Sequence, residues 1–300
     1  MASTETLGGT GSGATHRGPT DEEIDVYGLT HPGKVRRTNQ DHFLIASVRK
    51  HMDVHYTSLP NPELVPLGGQ RLAYLAMVAD GVGSGSRGED ASRHAIETVA
   101  DYVAHSMECY YTADGTDEQA FTQALEEAAM HCHAKILEAA ADGGGGDSGG
   151  GRGMATTLTL ALSVWPQTYL LQVGDSRCYL LQDGRLTQIS RDQTMAQELI
   201  DRGVFTRSVA DQTRWAHVLS SAIGGQQTAP VVTRIDRKWG DVGLLCSDGL
   251  TKHVSDERIA ARLKDMTSAQ QVCEDLLQDA LDDGGSDNVT IVVGRVVRRR

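Results

Sequence analysis

Leu72-Ala73-Tyr74-Leu75-Ala76-Met77-Val78-Ala79-Asp80-Gly81 is an unbroken apolar run that closes on a carboxylate and a glycine. Its length suits a strand, and a run without polar alternation reads as a buried one. Glycine at the next position lets the backbone turn sharply and expose a carbonyl. The strand therefore delivers Asp80 to its mouth, a rigid place to hold a cation. The loop that follows, Gly83-Ser84-Gly85-Ser86-Arg87-Gly88, matches the G-x-G-x-x-G pattern of dinucleotide sites. That fingerprint requires a second parallel strand soon after the helix, ending in an acidic residue. Here a helical pattern over 91–105 is followed by another over 117–140, and Asp101 lies inside the first. The nucleotide reading is set aside.

Asp-Gly is also an ordinary turn dipeptide. It recurs at Asp114, Asp142, Asp183, Asp248 and Asp283. Only Asp248 shares with Asp80 the position after an apolar strand, here 242–247.

A chain of 300 residues with 39% hydrophobic residues can bury a proper core. No apolar run approaches a membrane span of about 18 residues. The net charge of −12 argues against nucleic-acid binding. Residues 1–20 are rich in Gly, Ser and Thr without an apolar segment, so they read as a disordered tail rather than a signal peptide. Cysteines 109, 132, 178, 246 and 273 are scattered in apolar patterns without a C-x-x-C, which suits buried thiols in a reducing compartment. A cytoplasmic protein, a monomer in which 21–300 form one domain, is the expectation.

Strands are expected at 24–29 and 43–46, joined by a polar connector that carries Arg36, Asn39 and Asp41. Residues 50–70 read as a long inserted loop. Two helices follow. The first has an apolar face of Ala95, Ile96, Val99 and Val103, and the second a stripe of Phe121, Leu125, Ala128, Cys132 and Ile136 behind a T-x-x-Q cap at Thr116. His131-Cys132-His133 lacks metal-ligand spacing on a helix. Residues 141–153 form a glycine-rich loop without the G-K-[S/T] of a phosphate loop. Beyond it lie strands at 156–162, 169–173, 178–181 and 185–189, the last two joined by a type I′ signal at Asp183-Gly184. A short helix at 195–202 precedes a polar surface flap at 203–216. Strands at 231–235 and 242–246, helices starting at Ser255 and at Thr267 (a second T-x-x-Q box), and a strand at 288–297 complete the chain.

Arg36, Asp41, Asp80 with Gly81, Asp175, Asp248 and Asp287 all fall at strand ends, and none of the acids shows a helical i+4 cation partner. Interspersed strands and helices could gather them at one sheet edge. Several carboxylates so close cannot all ionise without a cation. Oxygen-only donors without His or Cys favour Mg²⁺ or Mn²⁺ over Zn²⁺. So rich a set of aspartates suits two metals sharing one carboxylate, an arrangement that activates water and clamps a phosphoryl oxygen. Arg36 adds the guanidinium fork that a phosphate accepts.

Six ordered motifs now carry a resemblance: Val35-Arg36-x-x-Asn39-x-Asp41, Ala79-Asp80-Gly81-x-Gly83, Gly153-Met154-Ala155-Thr156-Thr157, Val173-Gly174-Asp175-Ser176-Arg177, Leu244-Leu245-Cys246-Ser247-Asp248-Gly249-Leu250 and Ser286-Asp287-Asn288-Val289-Thr290. Over about residues 25–297 the chain closely resembles the bacterial type-2C metal-dependent Ser/Thr protein phosphatases. The resemblance implies an α+β, four-layer α-β-β-α sandwich of two antiparallel sheets flanked by helices. It implies Asp80 as the carboxylate bridging two Mn²⁺ or Mg²⁺ ions, the Gly81 carbonyl as a further ligand, and Asp248 and Asp287 completing the other site. Asp41 would hold metal-bound water, Asp175 with Asp248 would form a third, weaker site, and Arg36 would bind the substrate phosphate. A metal-bridging water would attack phosphorus directly. The substrates implied are phosphoserine and phosphothreonine proteins, opposite a cognate Ser/Thr kinase.

The chain departs from the family pattern at Gln40, where many members carry Glu, and at Val82, where eukaryotic members carry a histidine proposed as leaving-group acid; that step is left unassigned. Two rival functions are a pseudophosphatase scaffold that binds phosphoproteins and a phosphatase of small phosphorylated metabolites. Loss of Asp80 or Asp248 would mark the first, and both are present.

Overall fold

The computed structural model describes residues 17–50, 70–83, 86–107, 117–142, 153–210 and 212–298. Two antiparallel sheets face each other and are flanked by helices, as the resemblance implies. In one sheet, β1 (Ile24–His31), β11 (Val289–Val296), β10 (Val242–Cys246), β7 (Arg177–Gln182) and β8 (Arg185–Gln188) lie in the order β1-β11-β10-β7-β8. In the other, β2 (Asp41–Lys50), β3 (Gln70–Val82), β5 (Leu158–Val164), β6 (Gln167–Val173) and β9 (Val231–Asp236) lie in the order β2-β3-β5-β6-β9, with the short β4 (Ala155–Thr156) paired to the end of β3. Helices α1 (Ser86–His105) and α2 (Glu118–Asp142) cover the second sheet, and α6 (Asp256–Lys264) and α7 (Ala269–Asp282) cover the first.

Burial on both faces explains the unbroken apolar run of β3. Ala73, Leu75, Met77 and Ala79 pack under α1 and α2 with Ile96, Val99, Phe121 and Leu125. The alternate residues Ala76 and Val78 turn to the inter-sheet layer with Leu170, Leu245 and Val292. A strand with only one buried face would alternate. The stripes expected on the two helices are the buried ones, and Cys132 is fully buried while His133 Nδ1 accepts from the Gly224 amide at 3.0 Å. The Asp183-Gly184 hairpin has φ of 51° and 76° at its two central residues, the signature of type I′.

Several expectations shift. Residues 17–20 are not part of a tail: Arg17 pairs with Glu23, and Pro19 is buried with its carbonyl accepting from Arg71. Helix α2 runs through Asp142, two residues into the expected 141–153 loop, and residues 143–152 lie outside the described residues. So do 51–69 of the inserted loop, Thr116 of the first T-x-x-Q box and Cys109. Asp117 Oδ1 accepts the Ala120 amide at 3.1 Å. At the second box the cap is Ser268, one residue on, whose hydroxyl accepts from the Gln271 amide at 3.1 Å, while Thr267 bonds the Gln271 side chain. The 203–216 segment holds a short helix, α4 (Arg207–Ala210), after α3 (Met195–Asp201), and a 3-10 turn (Arg214–His217). Ala210 is fully buried, and Arg207 donates to Gln197 at 2.9 Å.

Candidate metal and phosphate site

Strand β3 does not stop at Asp80. It continues to Val82, and Gly81 pairs with Thr156 of β4. Asp80 lies instead directly across from Asp41, the first residue of β2. Residues directly opposite in an antiparallel pair have Cα atoms about 4.5–5.5 Å apart with side chains on one face, where two like charges repel. Two carboxylates in that register are a cost to the sheet unless something positive meets them.

The backbone around Asp80 is pinned. Its amide donates to Thr157 Oγ1 at 2.9 Å, and its carbonyl accepts from the Thr157 amide and from Thr156 Oγ1, both at 2.8 Å. Gly81 admits no side chain, since a Cβ there would lie 2.1 Å from the Gly88 carbonyl oxygen. Helix α1 begins at Ser86, so Gly88 is already helical, and its backbone presses on the strand end that carries Asp80.

Asp41 is 2% exposed. Its Oδ2 accepts from Ser247 Oγ at 2.7 Å and from Thr290 Oγ1 at 2.8 Å. Its Oδ1 is buried and makes no hydrogen bond. Burial pushes its carboxyl up to about 6, against those two hydrogen bonds and with the help of the charges on Asp248 and Asp287. Asp175 follows Gly174, the first residue beyond β6; burial and then the charges of Asp248 and Asp192 push it up to about 8. Asp80 is raised well above the usual carboxylate range by burial, then by Asp41, Asp248 and Asp175. The charge of Asp248 acts on Asp41, Asp80 and Asp175 alike, which places the four in one electrostatic neighbourhood.

Asp248 does not close a strand. Ser247 caps a one-turn helix, α5 (Asp248–Thr251), and Asp248 is its first residue. That turn brings Lys252 round beneath it. Lys252 Nζ lies 2.6 Å from Asp248 Oδ2 and 2.7 Å from Asp287 Oδ2. The expectation that no acid has an i+4 cation is therefore wrong at Asp248, because a single helical turn is too short to reveal itself by periodicity. Arg36 holds the other side of Asp287, with Nε 2.8 Å from Oδ1 and Nη2 3.0 Å from Oδ2. Its side chain is 53% exposed, with the fork at the rim. These two cations, after the opposing effect of burial, draw Asp287 below its ordinary value.

Asn288 was quoted in a motif but given no role. Its side-chain Oδ1 accepts from the Gln40 backbone amide at 2.9 Å, and its Nδ2 donates to the carbonyls of Pro32 and Thr38 at 3.0 and 2.9 Å. It staples the Arg36 connector to the start of β11. Arg177, in the Asp175 motif, turns away and forks onto Asp192.

The donor set suits a hard divalent cation. It is oxygen-only, it contains a buried carboxylate oxygen without a partner, and among the described residues the cations paired with its carboxyls are Lys252 and Arg36. Among the described residues no three acid, His or Cys side chains already close on one point, since Asp248 and Asp287 turn to Lys252 and Arg36.

The family model for protein phosphatase 2C matches residues 67–283. The Ser/Thr protein phosphatase PstP of Mycobacterium tuberculosis is 36% identical over 225 residues, which is 75% of this chain and 41% of that protein; this chain thus spans less than half of that relative. The Ser/Thr phosphatase stp of Listeria welshimeri is 30% identical over 73% of this chain and 83% of its own length. A crystal structure of M. tuberculosis PstP superposes with a TM-score of 0.71 at 30% identity, covering 92% of this chain and 99% of that one. The PstP catalytic domain solved with two manganese ions gives a TM-score of 0.68 at 31% identity, with the same coverage. The strand order, the acids at one end of both sheets and this likeness along most of the chain lead to one conclusion: the chain belongs to the protein phosphatase 2C family.

Proposed function

We propose that the chain is a metal-dependent protein phosphatase that hydrolyses phosphoserine and phosphothreonine in proteins, opposite a Ser/Thr kinase. The observation that carries this reading is the meeting of Asp41, Asp80, Asp175, Asp248 and Asp287 with the rim arginine Arg36. Asp80 and the Gly81 carbonyl, with Asp248 and Asp287, would hold two Mn²⁺ or Mg²⁺ ions; Asp175 with Asp248 would offer a third, weaker position. Bound there, the metals supply Lewis acidity to a water and to a phosphoryl oxygen. Asp41, with one oxygen fixed by Ser247 and Thr290, keeps its other oxygen available to accept from that water. Arg36 is fixed against Asp287 and presents donors to the phosphate. The fork geometry favours a dianionic phosphoester over a neutral ester. Lys252 offsets the charge of Asp248 and Asp287 and keeps that side of the site compact.

The test is phosphate release from p-nitrophenyl phosphate, a phosphothreonine peptide and a panel of phosphorylated metabolites. It is run with Mn²⁺, Mg²⁺ or EDTA on the unmodified chain and on Asp248→Asn. Metal-dependent turnover that EDTA and the substitution abolish supports the reading, and a preference for the peptide over the metabolites supports a protein substrate. A folded, metal-loaded protein that releases no phosphate overturns it.

A further inference from the structure

A cavity of about 650 Å³ opens between the two sheets at the end away from the acids. Strand β2 measures the separation. It starts at Asp41 in the acid cluster and reaches the outer rim of the cavity at Arg49, roughly 25 Å further along at 3.3 Å per residue, while the inner wall at Cys178 and Leu245 stops three residues short of Asp175 and Asp248. The inner wall is apolar, built from Ala76, Ala161, Cys178, Ile235, Leu245 and Val292. Interiors are otherwise close-packed, and a cavity of this size falls within the range of about 300–1,000 Å³ of small-molecule sites.

The charged groups that line it are Arg49, Arg71, Arg237, Arg295 and one acid, Asp21. Three arginines are engaged: Arg49 and Arg71 pair with Asp21, and Arg295 pairs with Asp25. Arg237 differs. It leaves the end of β9 and crosses to the other sheet, its Nη1 3.4 Å from where a Cβ on Gly243 would stand. Its Nε is buried and makes no hydrogen bond. The ion pair with Asp241 Oδ2 is long, at 3.9 Å, and that oxygen already accepts from Gln182 at 2.8 Å and from the Lys238 amide at 2.7 Å. One Nη2 contact, 3.3 Å to the Asp241 carbonyl, completes what is seen. Burial outweighs Asp241 and pulls the guanidinium below its ordinary value. A buried donor left unsatisfied calls for an explanation; Nε lies on the Asp241 side, and the donor placed at the apolar-walled cavity is Nη1, beside Gly243 of its lining.

We propose that this inter-sheet cavity is a binding site for a small carboxylate with a compact apolar body, its head on Arg237 and its body against Ala161 and Val292. The site lies outside the acid cluster and needs no metal. The occupant is set by two features together: a cation with donor capacity to spare, and an apolar chamber too large for an ion alone.

The experiment uses the full chain and two fluorescent probes of like shape: 8-anilinonaphthalene-1-sulfonate, an anion, and N-phenyl-1-naphthylamine, its neutral counterpart. Displacement of the first by 1-naphthoate tests the carboxylate itself. The expected result is saturable one-to-one binding of the anion, competed by 1-naphthoate. Arg237→Met is expected to weaken the anion about tenfold or more, equivalent to about 1.4 kcal/mol, and to leave the neutral probe unchanged. Ala161→Phe, which fills the chamber, is expected to remove both. Thermal melting and near-ultraviolet circular dichroism establish that each variant is folded; should Arg237→Met not fold, the uncharged Arg237→Gln and Ala161→Phe decide. The proposal is overturned by absence of saturable binding, by anion affinity within about twofold of the unmodified chain in the folded Arg237 variant, or by binding that survives Ala161→Phe. These readouts are of binding and stand apart from phosphate release.

Discussion

Ser247→Ala tests how the chain holds a buried carboxylate at the heart of the acid cluster. Ser247 is fully buried, and its hydroxyl works in both directions. It donates to Asp41 Oδ2 at 2.7 Å and accepts the Thr290 amide at 2.9 Å. Alanine removes a hydrogen bond to a charged group, worth about 1.5–3 kcal/mol, and strands a buried amide at a cost of about 1–3 kcal/mol. With partial relaxation the expected loss is about 3–5 kcal/mol of unfolding free energy at neutral pH, a large share of a typical domain's stability. The loss depends on pH in a definite direction. Burial holds the folded Asp41 carboxyl up at about 6, although Ser247 and Thr290 pull it down. Unfolded, an aspartate titrates near about 3.9. Between those values the folded chain keeps a proton that the unfolded chain has released, so stability falls as pH rises through that window. Without the Ser247 hydroxyl the folded value moves further up and the window widens, so the deficit of the variant grows from acid toward alkaline pH. The assay is urea unfolding of both proteins in EDTA at about pH 4.5 and about pH 8, on either side of the folded carboxyl's value of about 6. A deficit below about 1 kcal/mol, or one equal at the two pH values, refutes the account.

Arg36→Ala is expected to lower kcat/KM for a phosphopeptide about 10–100-fold, the worth of one charged fork, without lowering the melting temperature, because the side chain is 53% exposed; steady-state kinetics and a thermal scan check both. Gly249→Ala places a Cβ 1.8 Å from the Asn288 carbonyl oxygen, a backbone atom that no rotamer change can clear. It should destabilise by about 2–3 kcal/mol in urea unfolding and displace Asp248 enough to lower turnover. Cys132, Cys178, Cys246 and Cys273 are buried, and burial pushes each thiol up to about 12. With five cysteines in the chain, a native thiol titration should therefore find no more than one fast-reacting group, and a guanidinium-denatured sample all five.

Much of the architecture was legible residue by residue. The run 72–79 betrayed a strand buried on both sides because its neighbours on either face are apolar layers, and side-chain character follows burial directly. The helix stripes and the Asp183-Gly184 hairpin were legible for the same reason: periodicity reports a face, and turn chemistry reports a required φ. The boundaries were less so. Strand β3 runs past its own glycine because β4 comes up to pair with it, and that partner lies more than 70 residues away along the chain. The capping residue of α7 proved to be Ser268 rather than Thr267, since adjacent hydroxyls compete and only the packed geometry decides between them.

For the site, the sequence by itself singled out the side chains proposed to carry the chemistry: five aspartates and Arg36 in ordered motifs, with oxygen donors alone. Their mutual arrangement was decided only by the tertiary structure. Asp41 opposes Asp80 through strand register, and Ser247 and Thr290 reach Asp41 across 206 and 249 residues of sequence. Lys252 enters through one turn of helix that leaves no periodic trace, and Arg237 reaches its cavity only once two sheets have closed over it. Local sequence encodes burial and turn geometry because those act within a few residues; register, ion pairing and enclosed space depend on contacts between segments far apart along the chain, which exist only after the layers have packed.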